Sequence, residues 1–372
     1  MSQDTARTRR ELEDGAADTL VALQPLDPFR TDSASAMLEA MSRTSFSGRR
    51  LGEAADILFE MVSDPDCAVV ATFAGAMTVA KMGTVILRMI ETGMVQCVIS
   101  TGALMSHGLS EGIGLSHFKA DPRLSDEAMF EKGYNRVYDT LELEQNLNEV
   151  ERFVQATLGA IDPATTLSSE LVCRTLGKAL AATGGPSILG AAYQHGVPVF
   201  IPAFTDCELG LDVATSAMRR RLAAAGAAGG SPADAIFEAA AAPAFNPFLD
   251  LLSYARFCGG KKRLGIFTIG GGVPRNWAQQ VACFYDLIGY RLGVEVPEPR
   301  FQYGIRICPE PVHWGGLSGC TYSEGVSWGK FVSEREGGRF SEVYADATVA
   351  WPLLVRGVLE RMGKVPARAA TP

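Results

Sequence analysis

Cysteine metal motifs, nucleotide-phosphate loops and membrane-length apolar runs are all missing from this chain of 372 residues. Its eight cysteines, at 67, 97, 173, 207, 258, 283, 308 and 320, form no CxxC pair, and its four histidines stand at no ligand spacing from one another. That pattern speaks against a zinc framework or a catalytic metal. Most of the cysteines lie in apolar runs such as VQCVIS and IRICPE, where a thiol behaves as a small hydrophobe. Reduced core residues and a cytoplasmic compartment are therefore expected. No G-x-x-x-x-G-K-[ST] loop occurs, which sets aside P-loop ATPases. No run approaches the roughly 18 to 20 apolar residues of a membrane span, and the polar start MSQDTARTRRELEDGAADTL has no apolar signal core. Basic excess is lacking too. A net charge of −8 and a pI near 5.2 argue against nucleic acid as the main partner, and an acidic chain tolerates cationic small molecules instead.

What is present is alternation. About 47% of the residues are apolar, enough for a sizeable core. Short β-branched or apolar runs, CAVVATF (67–73), MVQCVIST (94–101), VPVFIPA (197–203), LGIFTI (264–269), FQYGIRI (301–307) and EVYAD (342–346), alternate with segments of helical period. Those helices are expected near 51–62, 79–91, 144–160, 167–195, 232–257, 274–289 and 348–362. Such alternation predicts an α/β fold, a doubly wound and mostly parallel sheet with helices on both faces. Residues 1–35 read as a polar amino-terminal arm, 36–362 as one domain with a surface insertion at about 219–247, and 363–372 as a frayed tail.

Ligands of an open parallel sheet bind beyond the carboxyl ends of its strands. The segments that follow the apolar runs are TGALMSHG, FTDCELG, GGGVPRNW, HWGGLSGCTYSEGVSWGK and ADAT. In IGGGVPRNW, three glycines lead into a helix with Pro274 in its first turn. This serves either as a tight turn needing positive φ or as a cradle of backbone N–H groups for an anion such as a pyrophosphate. His107 and Asn276 are the polar candidates at these loop ends; His195 reads as a helix end before Gly196. The remaining signal is Lys330 in SEGVSWGKF, beside Trp328 and six residues after Glu324. Lysine is a nucleophile only when neutral, and packing against Trp328 and Val326 would disfavour its ammonium. From spacing alone, Lys330 reads as a surface cation or as a Schiff-base nucleophile, with Glu324 to move protons and Trp328 to face an ammonium.

Five blocks in order, ISTGALMSHGL, VPVFIPAFTDCELG, TIGGGVPRNW, LSGCTYSEGVSWGKF and VYADATVAWPLL, give the chain a resemblance to the deoxyhypusine synthase family over about residues 36–362. That family's nucleophilic lysine sits in a -SWGK- sequence. The resemblance implies a Rossmann-like fold, a homotetramer with active sites at subunit interfaces, and an NAD-dependent aminobutyl transfer. NAD takes hydride from spermidine, 1,3-diaminopropane leaves, the butyl-imine passes to the lysine, and an acceptor amine displaces it before reduction. It makes Lys330 the covalent carrier, with Trp328, Glu324, Asn276 and His107 at substrate positions. It places the cofactor at Thr101, Gly102, Asp206, Gly270, Gly271, Gly272, Ser318, Asp346 and Ala347, and implies no metal.

Several positions depart from the family pattern. Asn276 stands for a histidine, Leu211 and Leu317 stand for acids, and Ser106 and His107 stand for a pair of glutamates. Each lost carboxylate removes a partner for one ammonium of a triamine, unless Glu208, Asp212 or Glu111 substitutes. The acceptor is thus a protein lysine or a free amine such as putrescine, the latter a homospermidine synthase reaction. A catalytically silent NAD-binding partner subunit and a generic Rossmann reductase are the other readings.

Overall fold

In a computed structural model of the chain, residues 18–227 and 232–366 are described. About half of the expected arm (1–17), four residues of the expected insertion (228–231) and most of the expected tail (367–372) lie outside them. The strands are β1 Cys67–Phe73, β2 Cys97–Ser100, β3 Phe118–Lys119, β4 Tyr134–Val137, β5 Thr140–Leu143, β6 Val199–Phe200, β7 Arg263–Ile269, β8 Phe301–Ile307 and β9 Arg339–Val343.

Six of them form one sheet in the order β6-β2-β1-β7-β8-β9, every neighbouring pair parallel. Counted within that sheet alone, the order is 3-2-1-4-5-6, the doubly wound order of dinucleotide-binding folds. The chain winds outward in one direction from β1 and in the other from β7, so the sheet's switch point lies between these two strands. Their register is fixed inside the sheet by a hydrogen bond between the buried hydroxyls of Thr72 and Thr268, which are opposite each other.

β1 shows why helices must cover both faces. Ala68 and Val70 belong to one core cluster with Tyr254, Cys258, Ala278 and Val281, from helices Pro247–Gly259 and Gly272–Leu292. Val69, Ala71 and Phe73 point the other way, into a larger cluster with Leu58, Ile86, Leu104 and Trp351. A strand with no polar face is stable only when covered on both sides. Trp351, on the last helix Ala347–Arg361, stacks on Phe73 with ring centroids 5.4 Å apart.

The run-and-helix reading located all six strands, and the sheet proves wholly rather than mostly parallel. Two helices are interrupted where one was expected. Residues 167–195 form Ser169–Thr183 and Ile188–Gln194, split at Gly184, whose φ of 72° ends the first helix in a left-handed cap. Residues 232–257 break before Pro247–Gly259, because Asn246 caps that helix and Pro247 occupies its first turn. A feature the alternation did not reveal is a small antiparallel sheet, β3-β5-β4. Its strands are too short and too polar to register as apolar runs.

Trp351→Ala is expected to destabilise the chain by about 3–5 kcal/mol, read as a lower urea midpoint at unchanged slope. Trp351→Phe is expected to lose less, since the buried indole N–H has no hydrogen-bond partner to forfeit.

Candidate active site

The loop from Cys308 to Gly329 leaves the carboxyl end of β8 and returns to its amino end, where Lys330 O accepts from Phe301 N at 3.0 Å and Val332 N donates to Phe301 O at 3.0 Å. Two buried arginines hold this loop. Arg306, on β8 and 1% exposed, donates through Nη1 to the carbonyls of Ser318 (2.5 Å) and Cys320 (2.7 Å) and through Nη2 to Glu342 on β9 (3.2 Å). The other Glu342 oxygen accepts from Tyr322 N at 2.7 Å. Arg275, in the first turn of Gly272–Leu292, donates to the same Cys320 carbonyl at 2.8 Å and lies over the Tyr322 ring.

These anchors set Ser318 against the glycine turn. Gly270 takes φ 75° and Gly272 φ 62°, while Gly271 is extended. A Cβ on Gly271 would stand 2.5 Å from Ser318 Cα, so the middle glycine is demanded by a close approach of backbones. The turn thus meets its conformational reading in full, and it also sits at the carboxyl end of β7, beside the switch point. Thr101 and Gly102 follow β2, and Thr101 Oγ1 donates to Gly75 O in the loop after β1. Asp346 follows β9 and caps the last helix; hydrogen bonds from Thr348 hold its carboxyl below the usual range, and Ala347 opens that helix. Asp206 follows β6, exposed, two residues before helix Glu208–Ala227. All the expected cofactor positions therefore follow the carboxyl ends of strands of the parallel sheet, the side on which such sheets hold ligands. Thr101, Gly102, Gly270, Gly271 and Gly272 would be the candidates to border a dinucleotide's phosphates, with the carboxylates of Asp206 and Asp346 as candidates for its ribose hydroxyls.

Lys330 reaches towards the same helix from below. Its side chain is buried, with the residue 8% exposed. Nζ lies 3.5 Å from Asn276 Oδ1 and 5.6 Å from the Trp328 ring centroid, and among the described residues no carboxylate lies within ion-pair distance of it. A cavity of about 200 Å³ opens at Nζ, lined by Arg275, Asn276, Gln279, Gln280, Leu317, Cys320, Thr321, Glu324, Gly325 and Trp328. Lys330, Trp328, Glu324 and Asn276 are thereby brought together. The indole itself is 64% exposed, so Lys330 is buried mainly by the wall opposite, not by Trp328. Arg275, Gln279 and Gln280 were not singled out from sequence. Their spacing, one turn apart as 275/279 and 276/280 on one helix, is the signal that could have found them.

His107 is not part of this cavity within one chain. It sits mid-helix in Gly102–Gly112 with Nδ1 3.1 Å from Glu142, against His117 and the small sheet. Burial alone would raise the Glu142 carboxyl and lower the His117 imidazole. Hydrogen bonding outweighs it in both, taking Glu142 down to about 2 and His117 up to about 9. Glu111 pairs with Lys81 beside them. Glu208 and Asp212 lie on helix Glu208–Ala227. None of these three acids lines the Lys330 cavity, so within one chain none replaces the carboxylates missing there.

A sheet of this order, with a glycine turn beside its switch point and a buried lysine amine against the helix that leaves that turn, defines an α/β protein of dinucleotide-binding type with a lysine-centred cavity. The deoxyhypusine synthase family model matches residues 36–358. The chain is 31% identical over 339 residues to "Probable deoxyhypusine synthase 2" of Methanosarcina mazei, covering 91% of this chain and 89% of that protein. It is 30% identical to "Deoxyhypusine synthase-like protein" of Chlorobaculum parvum, covering 86% and 84%. A crystal structure of an Entamoeba histolytica protein assigned as a deoxyhypusine synthase shares the fold, with a TM-score of 0.52 at 12% identity over 90% of this chain and 96% of the other. The chain belongs to the deoxyhypusine synthase family. Among the described residues no helix is long and apolar enough to cross a membrane.

Two outcomes test the scaffold. Arg306→Met leaves Glu342 and two loop carbonyls without their donor, and is expected to lower stability by about 3–5 kcal/mol in urea unfolding; adding Glu342→Gln should recover part of the loss. Burial, then Glu151 and Glu208, raise the Asp212 carboxyl to about 6. Its folded value exceeds its unfolded one, so ionising it opposes folding as pH climbs from about 4 to about 6. Asp212→Asn should therefore raise the melting temperature above pH 6 and leave it unchanged near pH 4.

Proposed function

We propose that this chain catalyses NAD-dependent transfer of an aminobutyl group from a polyamine to an acceptor amine, with Lys330 as the covalent carrier. The observation that carries this reading is the burial of the Lys330 amine beside Asn276 at a cavity, with no carboxylate in ion-pair distance among the described residues. An amine so placed is positioned to add to a carbon bound in the cavity.

Bound NAD would supply the hydride acceptor that converts a C–N bond of the donor to C=N, and the hydride for the final reduction. The remaining chemistry belongs to side chains. Lys330 Nζ adds to the C=N carbon, the amine formed from that C=N nitrogen leaves with a proton, and the four-carbon unit stays joined to Nζ as an imine. An acceptor amine adds to the same carbon and releases Lys330. Asn276 Oδ1 accepts a hydrogen bond from Nζ and orients it, but an amide does not titrate. Glu324 is the carboxylate lining the cavity, which makes it the group to pass protons between the amines. Trp328 presents an exposed indole face to the ammonium end of the donor. The family supports a homotetramer, in which a neighbouring subunit would cover that indole. The acceptor is a protein lysine or a free amine such as putrescine.

Incubation with spermidine and NAD, followed by borohydride and peptide mass spectrometry, should place a butylamine adduct on Lys330 and none in Lys330→Ala. Glu324→Gln should slow turnover about a hundredfold or more while donor binding persists. An unmodified Lys330 under these conditions, or an adduct on another lysine, would overturn the reading. Product analysis with labelled putrescine decides the acceptor.

A further inference from the structure

A second constellation lies apart from the Lys330 cavity and shares no residue with it. His107 comes from the middle of helix Gly102–Gly112, His117 from the loop just before β3, and Glu142 from β5. One donor atom from each lies within 4.8 Å of the others. The His117 and Glu142 side chains are fully buried, and that of His107 is 14% exposed. Glu142 Oε1 is held by Asn146 Nδ2 at 2.8 Å, and Ser110 Oγ stands 3.4 Å from each carboxylate oxygen. Oε2 therefore faces the imidazoles, 3.1 Å from His107 Nδ1 and 2.5 Å from His117 Nε2. The second approach misses hydrogen-bond alignment, leaving Nε2 a buried nitrogen with no directed partner. The far side of His117 is fixed as well, with Nδ1 3.3 Å from Lys81 Nζ and 3.8 Å from Glu111 Oε1.

We infer that this pocket binds one divalent transition-metal cation, zinc in the first instance, through His107 Nδ1, His117 Nε2 and Glu142 Oε2. Two imidazoles and one carboxylate are a donor set that zinc accepts while keeping a further position open. That position faces the side on which His107 is exposed. Metal–ligand bonds of about 2.0–2.2 Å put donors roughly 3.3 Å apart. The present separations straddle that figure, so side-chain shifts of about an ångström complete the site. Loading the cation displaces any proton carried by these donor atoms. Asn146 on the carboxylate, and Glu111 beside the second imidazole, form the outer support such ligands require. The three ligands come from separate parts of the chain, so the cation clamps the small sheet to the helix that begins at Gly102.

The test uses the full chain, stripped with chelator and re-dialysed against zinc at pH 7.5. Elemental analysis should give one zinc per wild-type chain, with retention falling at least tenfold in His107→Ala, whose partly exposed side chain makes loss of folding avoidable. Zinc should raise the melting temperature of wild type and not of Glu142→Gln. Cobalt substitution should give the visible d–d bands of a low-coordinate nitrogen and oxygen site without thiolate charge transfer, separating it from adventitious cysteine binding. Equal zinc in wild type and His107→Ala, or a thiolate spectrum, would show that the cluster is a hydrogen-bonded ionic network and overturn the proposal.

Discussion

The site rests on the Arg306 guanidinium. It is buried in the sheet, and it draws two carbonyls of the long loop after β8 down onto the strand while pairing with Glu342 on β9. A charge placed there is tolerable only because several acceptors converge on it. Removing them would leave the most expensive kind of buried group, so the loop is locked to the strand by the arginine's own need. From that lock follow the contact of Ser318 with Gly271, the shape of the turn beside the switch point, and the return path that brings Lys330 to the amino end of β8.

The lysine and the cofactor edge are thereby coupled through one helix. Gly272–Leu292 begins at the glycine turn, passes Arg275 to the Cys320 carbonyl, and offers Asn276 to Nζ. On the proposed reaction, a hydride acceptor near the glycine turn and an amine held against the first turns of the same helix would address one substrate from two directions. Positioning of this kind can supply much of the rate of a group transfer. The exposed indole of Trp328 and the half-exposed Leu317 complete one wall only. In the proposed homotetramer a second subunit would cover these exposed side chains.

Much of this was legible in the chain because buried parallel strands write themselves as apolar runs. CAVVATF and FQYGIRI coincide with β1 and β8 residue for residue. The glycine turn was legible as well, although sequence could not say which glycine answers to φ and which to a neighbouring backbone; Gly271 is decided by Ser318, far away in the chain. The Lys330 group was visible through a short motif, and Asn276 through its place after the turn. Arg306 gave no signal. A single arginine in an apolar strand reads as an interruption until the carbonyls it serves are placed in space. His117 passed unnoticed for a related reason: its partners come from a helix before it and a strand after it, and linear spacing carries no trace of that meeting.

The change of Asn276 from the family's histidine has a consequence for the order of proton movements. A histidine beside the amine could both orient it and take its proton; an amide oxygen only orients. On the proposed reaction, a proton leaving the Lys330 amine would pass to Glu324, the carboxylate lining the cavity, or leave with the departing amine. The donor's own nitrogens then become part of the proton relay, and a substrate with basic nitrogens at both ends of the transferred unit is suited to that role. Leu317, which lines the cavity where the family pattern has an acid, points the same way: on the proposed reaction one fixed charge fewer would hold the substrate, and more of the matching would fall to its shape and to Trp328.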